Sequence, residues 1–282
     1  DNLGHVAFRL FHGAYWKRHP YRLDVLGTRE SVSALTRRRI MTHYQRHYPT
    51  ARMTLAIVGD VDPATVLAKL RGLFPAETGP SRDAPAELTV EDAPNAPLQV
   101  FEFMPREQAH VVLGFPGTTL RDPDRHALEV LSQVLAGQGG RLFAEVREKR
   151  ALAYNVSAFS LEGFEPGYFA IYVASSPTKL EEALTAIRGE IEKLVRDGIS
   201  EAELERARRY LLGNHAIGLQ RRSAVAASLA FHEAYGPGWE EYRKYPEQIS
   251  RVKLSDVRRV AARFLDPNRE ILAVVKPKDE SP

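Results

Sequence analysis

Residues 137–159 read GQGGRLFAEVREKRALAYNVSAF, and three kinds of local structure meet in them. Gly137, Gly139 and Gly140 form a cluster that marks a turn. A short charged helix is expected from about Arg141 to Arg150, and the alternating run 153–159 reads as a strand. Arg147 and Tyr154 stand seven residues apart across that junction. A glycine turn, a helix carrying cations and a strand carrying a phenol suit a recognition corner. The same spacing also suits an ordinary packed turn. A phosphate loop is disfavoured, because no Lys-Ser/Thr follows the glycines.

On either side the chain is rich in regular elements. Apolar positions at helical spacing predict a helix over 5–16, which His19-Pro20 must end, since the residue before proline is pushed out of the α region. A second helix is expected from Glu30 to Tyr48, with Val32, Leu35, Ile40 and Tyr44 towards one side. A short buried strand follows at 53–58, then a helix to about Leu73 that Asp62-Pro63 caps. Residues 76–97 are dominated by Pro, Ala, Glu and Asp and read as an extended linker, with a strand at 87–90. Beyond it, strands are expected at 98–104, 110–115, 168–175 and 270–275. Helices are expected after Asp122-Pro123, over 179–196 with one apolar face, from the capping box Ser200-Glu201-Ala202-Glu203 to about Arg221, and over 223–235, 239–249 and 254–264.

The totals exclude several classes. At 282 residues, 44% hydrophobic and 27% charged, the composition is that of a soluble globular chain able to bury a large core. There is no cysteine, so disulfides and cysteine-ligated zinc are ruled out. A net charge of +3 gives no strong general affinity for polyanions. The run Arg37-Arg38-Arg39 and a pI near 9.0 raise nucleic-acid binding, but no aromatic-interleaved basic surface accompanies them, and no nucleic-acid partner is expected. No apolar run is long enough to span a bilayer. Periplasmic and cytoplasmic settings fit equally.

The chain also repeats itself. Residues 32–58 align without gaps on 249–275, at an offset of 249 − 32 = 217. Val32 matches Ile249, Leu35 matches Val252, Ile40 matches Val257, Tyr48 matches Leu265, and TLAIV matches ILAVV. Upstream, FHGAY at 11–15 matches FHEAY at 231–235. Two blocks in the same order with the same expected elements indicate duplication. The expected domains are 1–75 as the C-terminal part of a truncated first α+β unit, 76–97 as linker, and 98–282 as a complete second unit. With a 217-residue unit, the first begins about 140 residues before Asp1.

At this point a family resemblance becomes specific. The glycine turn with Arg147-Glu148-Lys149-Arg150-Ala151-Leu152-Ala153-Tyr154 resembles the RExxxLAY segment in the second domain of the pitrilysin/insulinase (M16) zinc metallopeptidases. HPYRLDVLGTRESV resembles the family's HPYG segment, with Arg22 where glycine is usual; MTLAIVGDVDP and GISEAELERARRYLLG resemble further family elements. The resemblance covers nearly the whole chain. It implies an α+β fold of duplicated LuxS/MPP-like metallohydrolase units, each an antiparallel-rich sheet covered by helices. It implies a parent zinc endopeptidase, of which this chain is the C-terminal, substrate-side portion and by itself inactive. The alternative is a non-catalytic partner subunit that binds peptide for a catalytic neighbour.

The resemblance also sets the site. No HxxEH occurs in the chain, so catalytic residues and metal ligands are expected upstream of Asp1, and no zinc is expected on the chain itself. By resemblance, Arg147 and Tyr154 reach the substrate, the partners are a peptide and a second M16 subunit, and the assembly is a homodimer or heterodimer. Two motifs imitate ligands. His43 and His47 have i, i+4 spacing without a carboxylate. His126-Ala127-Leu128-Glu129-Val130 falls where the duplication puts the counterpart of HxxEH, with Val130 in place of the second histidine; it reads as a degenerate copy that packs.

Overall fold

The computed structural model describes residues 2–50, 53–74 and 91–278, arranged as two compact units. The strand expected at 87–90 and most of the expected linker lie outside the described residues.

The larger unit comprises Asp1–Leu23, Val90–His215 and Tyr245–Pro282. It is built on five strands: β1 Leu98–Phe103, β2 Ala109–Pro116, β3 Asn155–Leu161, β4 Tyr168–Ser175 and β5 Ile271–Lys276. Their order is β1-β5-β2-β4-β3, with β1 and β5 parallel and the other pairs antiparallel. The sheet is therefore antiparallel-rich, and its last strand in sequence is inserted between its first two. Strands β2, β4 and β5 are apolar along nearly their whole length because both faces are covered. Period-2 alternation sorts their side chains. Val111, Leu113, Phe115, Leu272 and Val274 face a core with α5 (Arg125–Ala136), α6 (Leu180–Asp197) and α10 (Leu254–Phe264). Val112, Ala170, Ile271 and Ala273 face α1 (Leu3–Tyr15).

Helix α1 lies on the sheet at Gly114. A Cβ there would fall 2.1 Å from the ring of Phe11, which is fully buried, so only glycine admits this approach. The helix stops at Tyr15, ahead of Pro20, and Glu91 then accepts the backbone N–H groups of Lys17, Arg18 and His19 at 2.6–2.9 Å.

The smaller unit comprises Asp24–Thr89 and Ala216–Lys244. It contains α2 (Arg29–Ser33), α3 (Arg37–His47), α4 (Pro63–Leu73) and α8 (Arg222–Tyr235). Two expectations are corrected here. The single helix expected at 30–48 is broken, because Thr36 adopts an extended backbone and its hydroxyl caps α3 by accepting Arg39 N–H at 3.3 Å. Residues 53–58 are extended but neither buried nor in a ladder, with Met53, Leu55 and Ile57 exposed, since among the described residues no strand lies beside them to take up their backbone groups. An apolar groove of about 410 Å³ remains beside them, lined by Met53, Leu55, Leu67 and Phe74.

The repeat survives at the level of elements. Helices α3 and α10 have the same length and the same offset, 254 − 37 = 217 and 264 − 47 = 217.

Helices α7 (Glu201–Gly218) and α9 (Glu241–Arg251) complete the set. The capping box of α7 forms as expected: Ser200 Oγ accepts Glu203 N–H, and Glu203 accepts Ser200 N–H at 2.8 Å. Asp62 likewise caps α4. Asp122 does not cap α5, which starts three residues later, after Asp124. The buried Asp124 carboxylate instead accepts Arg259 and Arg263 from α10 at 2.5 Å each, which fastens α10 to the start of α5.

Candidate functional site

The stretch 137–159 is a built corner, and each part has a physical cause. The glycines permit close backbone passage. A Cβ at Gly137 would meet Gln133 O at 2.6 Å, one at Gly140 would meet Leu135 O at 2.8 Å, and Gly139 has φ +74°. The turn is then tied to α7. Arg141 donates through Nε and Nη2 to both oxygens of Glu203, at 2.6 and 3.1 Å, and through Nη2 to the Gly198 carbonyl. Burial raises the Glu203 pKa, but Arg141 and Ser200 outweigh it and hold the carboxyl at about 2. Sequence reading missed Arg141 as the residue that positions this turn; its place directly after the glycines was the available signal.

The helix expected at 141–150 is wound more widely than an α-helix. Phe143–Lys149 forms a π turn whose inward residue is Val146. Such turns are rare and concentrate at functional sites. Arg147 points outward, with its guanidinium 5.0 Å from the Phe143 ring and 3.9 Å from a Glu148 oxygen. The chain reverses at Ala151, a non-glycine residue at φ +47°, a conformation that costs about 1–2 kcal/mol. The reversal is held from three sides. Lys179 Nζ donates to Ala151 O at 3.0 Å, Ser175 Oγ to Leu152 O at 2.5 Å, and Tyr154 N to Ala174 O at 2.9 Å.

Strand β3 is an edge of the sheet and begins at Asn155, two residues later than expected. Tyr154 therefore sits immediately before an edge strand, its backbone fixed and its side chain 66% exposed. The Arg147 side chain is 49% exposed. Both sequence-designated residues present donors to solvent from opposite sides of one pinned reversal. Guanidinium and phenol are suited to peptide carbonyls and carboxylates.

The helix that carries His126 and Glu129 packs into the core. Val130 is fully buried in the main core and supplies no donor atom. Glu129 Oε1 accepts the Tyr245 hydroxyl at 2.6 Å, and His126 Nε2 accepts Arg125 Nε–H at 3.1 Å. The His43 and His47 rings lie tilted against each other on α3, with centres 4.3 Å apart. Among the described residues, no group of three His, Cys, Asp or Glu side chains converges as a metal site. The residues at 126–130 do not fit zinc.

Comparison with known proteins agrees with the fold. Residues 34–211 match the family described as "Peptidase M16 inactive domain". An uncharacterized zinc protease of Streptomyces coelicolor is 30% identical over 292 residues, covering 100% of this chain and 63% of the relative. One of Mycobacterium tuberculosis is 32% identical over 262 residues, covering 91% of this chain and 59% of the relative. The chain thus spans about three-fifths of the length of the curated relatives it matches. Among solved structures, a protease from Helicobacter pylori superposes with a TM-score of 0.86 at 22% identity, covering 98% of this chain and 68% of that one. The peptidase M16 inactive domain from Pseudomonas fluorescens gives 0.81 at 20% identity, covering 98% and 66%.

Proposed function

The chain belongs to the peptidase M16 family, through its inactive domain, and from that premise we propose that it is the substrate-side portion of a zinc-dependent endopeptidase. In this proposal 1–75 closes one α+β unit, 76–97 links, and 98–282 is the second unit. Zinc and the residues that hold it belong to sequence outside these 282 residues, and peptide hydrolysis belongs there too. A second subunit, identical or not, pairs with it and helps enclose the peptide.

The chain's own contribution is binding and orientation. The observation that carries this is Tyr154: an exposed phenol on a fixed backbone, at the mouth of an edge strand, across a pinned reversal from an exposed guanidinium. The fold fixes the Tyr154 backbone, so only the side chain has to settle when a peptide arrives, which lessens the reorganisation that opposes binding. An extended peptide is the ligand that an edge strand and two flanking donors suit best.

The test is kinetic. In the longer zinc-loaded protein, Arg147→Ala and Tyr154→Phe are expected to lower kcat/KM for a peptide by about 10²-fold each, with zinc content and melting temperature unchanged. Unchanged kinetics in both variants would overturn the assignment.

A further inference from the structure

The two repeats exchange a helix. Residues 1–23 precede the first copy of the repeated segment, yet they belong to the larger unit; residues 216–244 precede the second copy, yet they belong to the smaller one. The exchanged helices are counterparts: FHGAY closes α1, FHEAY closes α8, and both helices stop at the tyrosine. In the larger unit the exchange is completed. Helix α1 covers Ile271 and Ala273 of β5, Phe11 and Tyr15 are buried, and the Tyr15 hydroxyl donates to the Gly167 carbonyl at 2.9 Å. In the smaller unit it is half made. Helix α8 has no buried residue, and Phe231 and Tyr235 are each about half exposed. The segment that corresponds to β5 is there as well: Thr54, Ala56 and Val58 stand 217 positions ahead of Ile271, Ala273 and Val275. What β5 has, and 54–58 lacks among the described residues, is a strand on each side, β1 parallel and β2 antiparallel.

We propose that the smaller unit is a socket for two strands of the same polypeptide, carried 217 positions ahead of β1 and β2, between which 54–58 inserts as β5 does. Subtracting the offset puts them about 100–120 positions ahead of Asp1 (98 − 217 = −119, 116 − 217 = −101). The curated relatives have room for such a segment, since about two-fifths of their length lies outside the match. The socket is prepared for strands. Leu55 and Ile57 are exposed while Ala56 and Val58 are half-buried, which is the two-faced pattern of a sheet strand. The backbone groups of an unpaired extended segment are a template for strand addition. The groove beside Leu55 lies open on the side that Leu272 turns towards α5 and α6, whose counterparts also fall ahead of Asp1 (125 − 217 = −92, 180 − 217 = −37). A second copy of this chain suits the socket less well, because its own β1 and β2 are already paired with its β5. The proposal rests on reading 1–75 as the tail of a duplicated unit, and not on zinc, Arg147 or Tyr154.

Hydrogen exchange decides it, measured on the 282-residue chain and on the longer protein. Amides of 54–58 are expected to exchange freely in the chain and at least about 10³-fold more slowly in the longer protein, level with 271–276. Leu55→Ala is the companion variant. It is expected to lower the urea midpoint of the longer protein and to leave that of the 282-residue chain in place. Fast exchange at 54–58 in the longer protein, or an unchanged midpoint in its Leu55→Ala variant, would overturn the socket. So would slow exchange already present in the 282-residue chain, or protection that grows with the concentration of that chain, which would put a second copy in the place of the strands. Peptide turnover by the zinc-loaded longer protein reports on the peptidase reading separately. An active protein with 54–58 unprotected would sink the socket alone; a protected but inactive one would bear the socket out and sink only the peptidase reading.

Discussion

Residues 32–58 and 249–275 carry the same apolar pattern and end in opposite environments. Ile249, Val252, Val257 and Leu265 are buried, whereas Val32, Leu35, Ile40 and Tyr48, each 217 positions earlier, are about half exposed. Leu272 is 3% exposed in β5, between β1 and β2; Leu55, its equivalent, is 59% exposed beside an apolar groove. Both copies make the helix, α3 and α10, with identical offsets. Only one makes the strand. A helix satisfies its own backbone hydrogen bonds, while a strand requires neighbours to do so. The pattern therefore states what a segment can pair with, and the surrounding chain decides whether pairing happens.

That contrast can be broken most decisively at its matched leucines. Leu272→Ala is expected to cost about 2–5 kcal/mol, as for other core truncations. Leu55→Ala is expected to stay within about 0.5 kcal/mol. Urea unfolding of the 282-residue chain measures both, and equal losses would dissolve the distinction.

The next largest effect concerns what fastens α10. Asp124→Ala removes two charge-assisted hydrogen bonds, to Arg259 and Arg263, and is expected to cost about 1.5–3 kcal/mol. Position 42, the counterpart of Arg259 at 259 − 217 = 42, is a threonine, whereas position 46, the counterpart of Arg263, is Arg46, so α3 carries one of the two arginines. Burial raises the Asp124 pKa, but the two arginines overcome it and leave the carboxyl below its ordinary value. Its contribution is accordingly present above the usual aspartate range and lost as pH falls through the lowered value. An acid-unfolding profile should be flatter in Asp124→Ala than in the parent chain.

A smaller loss than at Leu272 or Asp124 is expected on α3. An 11-residue helix with no buried residue leans on its cap, and Thr36→Ala should cost it about 1 kcal/mol. Hydrogen exchange should show faster opening over 37–47 and no change in β2 or β5. Spread of the effect into the sheet would show that α3 is better supported than its exposure implies.

Much of the larger unit was legible beforehand. Strand β4 falls at 168–175 as expected, and α6, α10 and the capping box of α7 stand where apolar spacing and local hydrogen-bond chemistry put them. These are signals carried by neighbouring residues. The errors have a common origin. The break at 34–36 turned on whether Thr36 capped one helix or lay inside another. Asp124 was passed over as an N-cap candidate and proved to bind arginines 135 and 139 residues away. Neither choice is encoded within a window of a few residues.

The candidate site divides in the same way. Sequence alone determined the residue types and their order: glycine turn, Arg147, Tyr154, and a helix with Val130 where a ligand would be needed. It also carried the repeated apolar pattern at an offset of 217, which needs no coordinates to be seen. Tertiary structure decided which of these side chains face solvent. It fixed Tyr154 through Ala174, anchored the turn through Arg141 and Glu203, and brought Arg259 onto Asp124 although 135 residues separate them (259 − 124 = 135). The physical reason is that exposure, register and charge proximity are properties of packed surfaces, and packing joins residues that sequence distance keeps apart.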